Sequence, residues 1–309
     1  MFFFKYLHEA QQLSRQISDW ENTRFDWSKA FVTCVWSAAA YEEMPKYELK
    51  KSQRAKVIPC DSYQANYARW VETDQAATLS RFDTDQQFSV ILRDRVIVVV
   101  TRLPDVIFIS LRGTTLSYAD FKADLDARKV KYPVGLGDSV RLHRGFFDAV
   151  LSCFDEVMER VAELMPPPGA LPIYVTGHSL GGAMAAIFNA KLAERRSLNR
   201  HRDSGPATAC YTFGMPRFGD MGAKSLLPSP FHIFNEFDAI PTLPPTFLGF
   251  ADCGNERCLN AQPKVTPALA KGNFWLRKSK GIATVLGISD HRMEKYLERL
   301  DSMRNGGAT

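Results

Sequence analysis

A short apolar run, Ile173-Tyr174-Val175-Thr176, feeds directly into Gly177-His178-Ser179-Leu180-Gly181, and an Ala-rich segment, Leu180 to Arg196, leaves it. The run reads as a buried strand and the Ala-rich segment as a helix. A strand that turns at once into a helix must let that helix pack back on its own sheet, which selects α/β alternation around a mostly parallel sheet. The turn has the pattern Gly-x-Ser-x-Gly. A serine there sits at strained backbone angles, and small neighbours make room for it. The helix start points free N–H groups at the turn, which favours negative charge developing there. Gly182 and Ala183 let the helix lie close to the sheet. The plainer alternative is a tight turn with an idle serine; the flanking strand and helix argue against it.

The rest of the chain supports the same class. Residues 27–41 read as an apolar helix with Phe31, Val35, Ala38 and Ala39 on one face. Residues 45–85 are polar and weakly patterned. Two β-branched runs, Arg95–Arg102 and Val106–Arg112, flank Leu103-Pro104-Asp105, and Pro-Asp between such runs predicts an antiparallel pair. Phe146, Val150, Cys153, Val157, Val161 and Leu164 form a helical stripe that Pro166-Pro167-Pro168-Gly169 stops. Ala207–Phe213 and Phe231–Phe237 are strand-like. A division into an extension over 1–26, one α/β domain over 27–300 and a tail over 301–309 follows.

The apolar supply suffices for one large core: hydrophobic residues are 45% and charged residues 24% of 309. Disordered, collagen-like and disulfide-dense classes are excluded. The net charge of +5 is weak evidence for an anionic partner. No aromatic-basic interleaving suggests nucleic acid, and no Gly-rich loop suggests a dinucleotide or phosphate. Cys253 and Cys258 stand closest among six scattered cysteines, without a second pair at zinc spacing. The expectation is free thiols, no metal and no cofactor. Val96-Ile97-Val98-Val99-Val100 is far too short to span a membrane, so no transmembrane segment is expected. Met1-Phe2-Phe3-Phe4 gives way to Lys5, so no signal-peptide core is legible, and a cytoplasmic protein, or one exported without a signal, is expected.

A hydroxyl nucleophile needs a base, and the base needs an orienting carboxylate. On a strand–turn–helix site of this kind the acid and then the histidine follow the serine in the chain. Asp238 follows the run Phe231–Phe237, at the strand end where such a site collects its loops, and only His291 lies beyond it. Asp203, Asp220, Asp252 and Asp290 are weaker acid candidates. An oxyanion would be held by the N–H of Leu180 and by a donor after an earlier strand. Val106–Arg112 leads into Gly113-Thr114, where Gly113 permits the turn and Thr114 offers an N–H and a hydroxyl. An ordinary strand-end Gly-Thr is the alternative there.

Together these blocks carry a resemblance. Leu111-Arg112-Gly113-Thr114, His143-Arg144-Gly145-Phe146, Val175 to Gly182, Tyr211-Thr212-Phe213-Gly214-Met215-Pro216-Arg217, Asn235 to Pro241 and Asp290-His291 stand in the order seen in class 3 lipases. These are α/β-hydrolases of the fungal triacylglycerol lipase type, and the resemblance covers roughly residues 27–300. It implies triad roles for Ser179, Asp238 and His291, oxyanion roles for Thr114 and Leu180, and support of the Thr114 hydroxyl by Asp124. The family's lid would map to about residues 117–126, with Tyr118, Phe121 and Leu125. Asp120, Lys122, Asp124 and Asp126 make that segment polar, a departure that argues against strong interfacial activation. His143 and His178 precede the acid and are read as structural, satisfied by backbone groups.

The leading expectation is a serine carboxylester hydrolase cleaving lipid acyl esters, of triacylglycerol lipase type. Phospholipase A1 or lysophospholipase activity, or a polar-ester (feruloyl-type) esterase, are the alternatives within that class. A non-catalytic lipase-like scaffold that binds lipid or a partner is the contrasting one, and it predicts loss of a triad member. Peripheral contact with an anionic lipid surface is expected from Arg257, Lys264, Lys271, Arg277, Lys278 and Lys280, a stretch with Phe274-Trp275-Leu276 in its middle and no Asp or Glu before Asp290; a solvated loop covering the core is the alternative.

Overall fold

The computed structural model describes residues 2–41, 87–93, 96–113, 128–132, 140–167, 171–198, 207–259 and 289–306. Its centre is a sheet in the order β1 (Gln87–Arg93), β2 (Val96–Leu103), β3 (Val106–Leu111), β6 (Ile173–His178), β7 (Thr208–Phe213), β8 (Phe231–Asn235) and β9 (Asn255–Leu259). β1 and β2 pair antiparallel, as do β2 and β3, and the β2–β3 register closes at Leu103↔Val106 across the Pro104-Asp105 turn. From β3 to β9 every neighbouring pair is parallel. A small hairpin, β4 (Lys129–Lys131) with β5 (Arg141–His143), lies apart from this sheet.

Side-chain alternation along the strands divides the core by chemistry. Ile107, Ile109 and Leu111 of β3 and Val175 of β6 face α3 (Arg144–Leu164) and α4 (Leu180–Leu198). Phe108, Tyr174, Tyr211 and Phe213 face the other way, onto Phe31 and Trp36 of α2 (Trp27–Ala39) and Leu297 and Leu300 of α6 (Met293–Gly306). The stripe expected on α3 is the buried one, through Phe146, Val150, Cys153, Val157 and Val161. The helix begins at Arg144 and stops before Met165, whose backbone is extended ahead of Pro166. Asp26 caps α2 by accepting from the Lys29 N–H at 2.9 Å.

Three elements carried no signal that the sequence reading recognised. α1 (Phe2–Gln16) buries Tyr6, Leu7 and Ala10 against α2. α6 buries Tyr296, Leu297 and Leu300, and its Arg304 reaches Glu9 of α1. β9 extends the sheet beyond β8. Between α1 and α2 the chain is tied down by Lys29, a buried lysine whose ammonium donates to the Asp19 and Asn22 carbonyls at 2.8 and 2.7 Å. That bonding is what makes a buried ammonium tolerable. The strand expected over Phe231–Phe237 ends at Asn235, because the Asp238 N–H turns back onto the Asn235 carbonyl at 2.9 Å. Residues 45–85 lie outside the described residues.

Candidate active site

The parallel register brings the carboxyl ends of β3, β6 and β7 side by side, with Leu111 opposite Gly177 and His178 opposite Phe213. Loops collect at such an edge. Ser179 is the single residue between β6 and α4, and among the described residues it is the one non-glycine with positive φ, at 58°. For an L-residue this costs roughly 1–2 kcal/mol. Neighbouring bonds impose it: the Ser179 N–H donates to the Phe213 carbonyl at 2.9 Å, and the Gly182 N–H to the Ser179 carbonyl at 2.9 Å. The first turn of α4 lies against the end of β3. A Cβ on Gly181 would stand 2.1 Å from the Leu111 carbonyl oxygen and 2.7 Å from the Gly113 nitrogen, so only glycine fits. Leu180, whose N–H opens α4, is buried beside it.

Opposite Ser179 stand the two groups that chain order had selected. His291 Nε2 lies 2.8 Å from Ser179 Oγ, and His291 Nδ1 lies 2.8 Å from Asp238 Oδ2. A carboxylate only accepts, so Nδ1 carries the proton and Nε2 presents its lone pair to the serine hydroxyl. Asp238 is buried and accepts two further bonds: from the Tyr296 hydroxyl at 2.5 Å and from the Ile240 N–H at 2.9 Å. Burial, and then the Asp238 charge, push the Tyr296 phenol well above its ordinary pKa, so it donates as a neutral hydroxyl.

The loop bearing His291 is fixed from both sides. Arg299 holds the Asp290 carboxylate bidentately at 3.0 and 3.1 Å, and the Asn235 amide donates to the Asp290 carbonyl at 2.7 Å. Asp290 therefore faces away from the His291 ring. His178 donates to the His291 carbonyl, with Nε2 at 2.7 Å, and its ring lies 4.5 Å from the His291 ring. Burial lowers the His178 pKa well below its ordinary value, and the nearby His291 lowers it further, so the ring is neutral. His178 is thus satisfied by a backbone group, yet it touches the site. His143 stacks on Phe146 at 4.1 Å.

The other acid candidates have different work. Asp252 pairs with Arg217 at 2.7 Å, and Asp220 caps α5 (Met221–Leu226) by accepting from the Ala223 N–H at 3.0 Å. Asp203 lies outside the described residues, as do Thr114, Asp124 and the lid candidates Tyr118, Phe121 and Leu125. Lys264, Lys271, Arg277, Lys278 and Lys280 also lie outside them. Arg257 is described, and its guanidinium sits over the Phe25 ring at 3.9 Å. Cys253 and Cys258 are not joined in a disulfide. Among the described residues no cluster of His, Cys, Asp or Glu is arranged to hold a metal ion, and no helix is long and apolar enough to cross a membrane. Tyr296 and Tyr41, which contacts His178 and Gly113, went unnoticed in the sequence, and Asn235 was seen only as the first residue of the Asn235–Pro241 block, without its bond to Asp290. Each tyrosine is an ordinary residue in no motif, and only the folded chain brings it to the site.

Residues 108–248, a little under half of the chain, match the class 3 lipase family model. A lipase of Rhizomucor miehei is 34% identical over 154 residues, covering 48% of this chain and 40% of that one. A secreted mono- and diacylglycerol lipase of Malassezia restricta is 32% identical over 152 residues, covering 46% of this chain and 48% of that one. The chain thus spans about half the length, or less, of these curated relatives. The solved lipase of Rhizopus microsporus var. chinensis shares the fold, with a TM-score of 0.52 at 20% identity over 80% of this chain and 90% of that one. The fold is that of the α/β-hydrolases, a mostly parallel sheet flanked by helices. The comparison corrects one expectation. The secreted Malassezia relative points outside the cell, which overturns the cytoplasmic location inferred from Met1–Gln12.

Proposed function

We propose that the chain is a serine carboxylester hydrolase acting on lipid acyl esters, with Ser179 as nucleophile, His291 as base and Asp238 as the orienting acid. The observation that carries this reading is the unbroken chain Ser179 Oγ–His291–Asp238, at 2.8 Å on each side of the imidazole. In this reading Ser179 Oγ bonds to the ester carbonyl carbon while its proton passes to His291 Nε2. The tetrahedral oxyanion is held by the Leu180 N–H and by Thr114, with Asp124 supporting the Thr114 hydroxyl. Collapse breaks the bond to the alkoxy oxygen, which takes the proton from His291 and leaves as the alcohol. Water then attacks the acyl-enzyme, gives its proton to His291, and the acid departs as the proton returns to Ser179. Asp238 keeps the tautomer that the cycle needs. No metal or cofactor enters the cycle.

Acylglycerols are the substrates to test first, because the two curated relatives are named a lipase and a mono- and diacylglycerol lipase. Tyr118, Phe121 and Leu125 would cover the acyl site. The cations from Lys264 to Lys280 would favour anionic surfaces at about 1 kcal/mol each; co-sedimentation with anionic against zwitterionic vesicles, with Arg277, Lys278 and Lys280 made Ser, tests that contact. The activity itself is tested on a panel of p-nitrophenyl esters, mono-, di- and triacylglycerols and phospholipids, with Ser179→Ala alongside. Hydrolysis of an acyl ester that Ser179→Ala loses is expected. An inactive wild type, or an active Ser179→Ala, would sink the reading.

A further inference from the structure

The Tyr41 hydroxyl sits where three pieces of the site meet. It accepts from the Gly113 N–H at 3.0 Å, donates to the His178 carbonyl at 3.0 Å, and lies 3.2 Å from His178 Nδ1. The His178 ring continues the line: its Nε2 donates to the His291 carbonyl at 2.7 Å. A carbonyl only accepts, so the Nε2 proton is fixed there, and Nδ1 turns a bare lone pair toward Tyr41. One hydrogen-bonded path therefore runs from the last described residue before Thr114, through Tyr41 and His178, to the backbone of the base. Each donor on it has an acceptor. The path is also sterically closed: a Cβ on Gly113 would stand 2.2 Å from the Tyr41 hydroxyl oxygen.

The geometry points to Tyr41 and His178 as a pair of positioning residues. They hold the strand end that leads into Thr114, and the loop that carries His291, in register with Ser179. The inference rests on the triad reading above and adds to it. Neither residue touches the reacting atoms. Ser179 and the Leu180 N–H are placed by their own turn, but the base, and the second oxyanion donor proposed at Thr114, arrive from separate parts of the chain. Nothing in the Gly-x-Ser-x-Gly turn alone fixes their distance to it. Tyr41 fixes one side through the Gly113 N–H, and His178 fixes the other through the His291 carbonyl. Removing the Tyr41 hydroxyl leaves the Gly113 N–H free to re-aim, and Thr114 follows. A misplacement of this kind, near 1 Å, lowers a catalysed rate by about 10²-fold. Because the effect falls on the transition state, kcat drops and KM stays.

The test uses the full chain with a soluble p-nitrophenyl butyrate, and counts active sites by fluorophosphonate titration run to completion. Tyr41→Phe keeps the ring and removes only the hydroxyl. Expected is a fall of about 10- to 100-fold in kcat per titrated site with KM within about twofold. In a double-mutant cycle its effect overlaps that of Thr114→Val instead of adding to it. His178→Gln keeps a donor for the His291 carbonyl and retains most of the activity that His178→Leu loses. If Tyr41→Phe yields too few titratable sites, the Gln-against-Leu comparison decides alone. Unchanged kcat in Tyr41→Phe, strict additivity with Thr114→Val, or equal losses in His178→Gln and His178→Leu would overturn the pairing. A wild type that neither titrates nor hydrolyses the ester would instead defeat the triad reading, so the two failures are distinguishable.

Discussion

The two halves of the site are built differently. On one side Ser179 owes its position to consecutive residues: β6, a residue at φ 58°, and the first turn of α4. On the other side Asp238 and His291 come from distant parts of the chain and are held by Tyr296, Asn235 and Arg299. The first half is a backbone device, set by sterics and by glycine. The second is a side-chain network, set by hydrogen bonds across the fold. A backbone device leaves a pattern of adjacent residues, and a network leaves only chain order. The first should fail by losing its shape; the second should fail by losing chemistry while the fold persists.

The largest expected effect tests the network half. Asp238→Asn leaves the shape but offers His291 an amide whose NH₂ favours the wrong tautomer. We expect kcat to fall by about 10⁴-fold, and His291→Ala to fall comparably. Asp252→Asn, Asp220→Asn and His143→Ala should keep most of the activity, since their groups cap or brace elements elsewhere. Steady-state kinetics on one ester checks all five. A near-normal Asp238→Asn would move the acid to another carboxylate.

Gly181→Ala tests the backbone half. The new methyl would meet the Leu111 carbonyl at 2.1 Å, backbone that cannot swing aside. A loss of about 3 kcal/mol or more is expected, at the upper end of overpacking costs. Urea unfolding measures it, and a midpoint equal to the wild type would show that the turn is looser than described.

Tyr296→Phe separates placement from charge within the network. It removes the 2.5 Å donor to Asp238 and leaves the Asn235 N–H without its 3.2 Å acceptor. A hydrogen bond to a charged group is worth about 1.5–3 kcal/mol, so kcat should fall by roughly 10- to 100-fold, well short of Asp238→Asn. A loss as large as that of Asp238→Asn would make the tyrosine more than a brace.

The smallest effect lies where the halves join. The folded His178 resists protonation, its pKa held well below the ordinary 6.5 by burial and by His291. The unfolded chain takes up a proton through pH 6.5 that the folded chain refuses. Its contribution to stability is thus complete above pH 6.5 and is lost as pH falls toward the folded value, by up to about 1.4 kcal/mol per pH unit. Unfolding midpoints across that window should slope less for His178→Gln than for the wild type. Parallel slopes would place the proton uptake on another group.

The same contrast explains what the sequence disclosed. The serine turn, α3 and its stripe, the β2–β3 pair and the parallel strands were legible because each is written in neighbouring residues with a period or a turn signal. Asp238 and His291 were legible by order after the serine and by Asp238's place at a strand end. Tyr41 and Tyr296 were not, since a tyrosine outside any motif looks the same whether it brackets a functional group or fills a core; Asn235 was legible only as part of its block, not as the group that holds Asp290. α1 and α6 were missed for a related reason: Tyr6, Leu7 and Ala10 find their burial only against α2 and α6, far along the chain. β9 is a partly exposed edge strand with Glu256 and Arg257 in its middle, which hides the alternation a half-buried strand normally shows.

The central claim is that Ser179 is made nucleophilic by His291 and Asp238. The most direct measurement is covalent: wild type, His291→Ala and Asp238→Asn are treated with a fluorophosphonate, and the label is located by peptide mass spectrometry while ester hydrolysis is followed. The account predicts one label per wild-type chain, on Ser179, with hydrolysis lost in step, and labelling slowed severely in both variants. A label on another serine, hydrolysis that survives full labelling of Ser179, or equal labelling rates in all three proteins would contradict it.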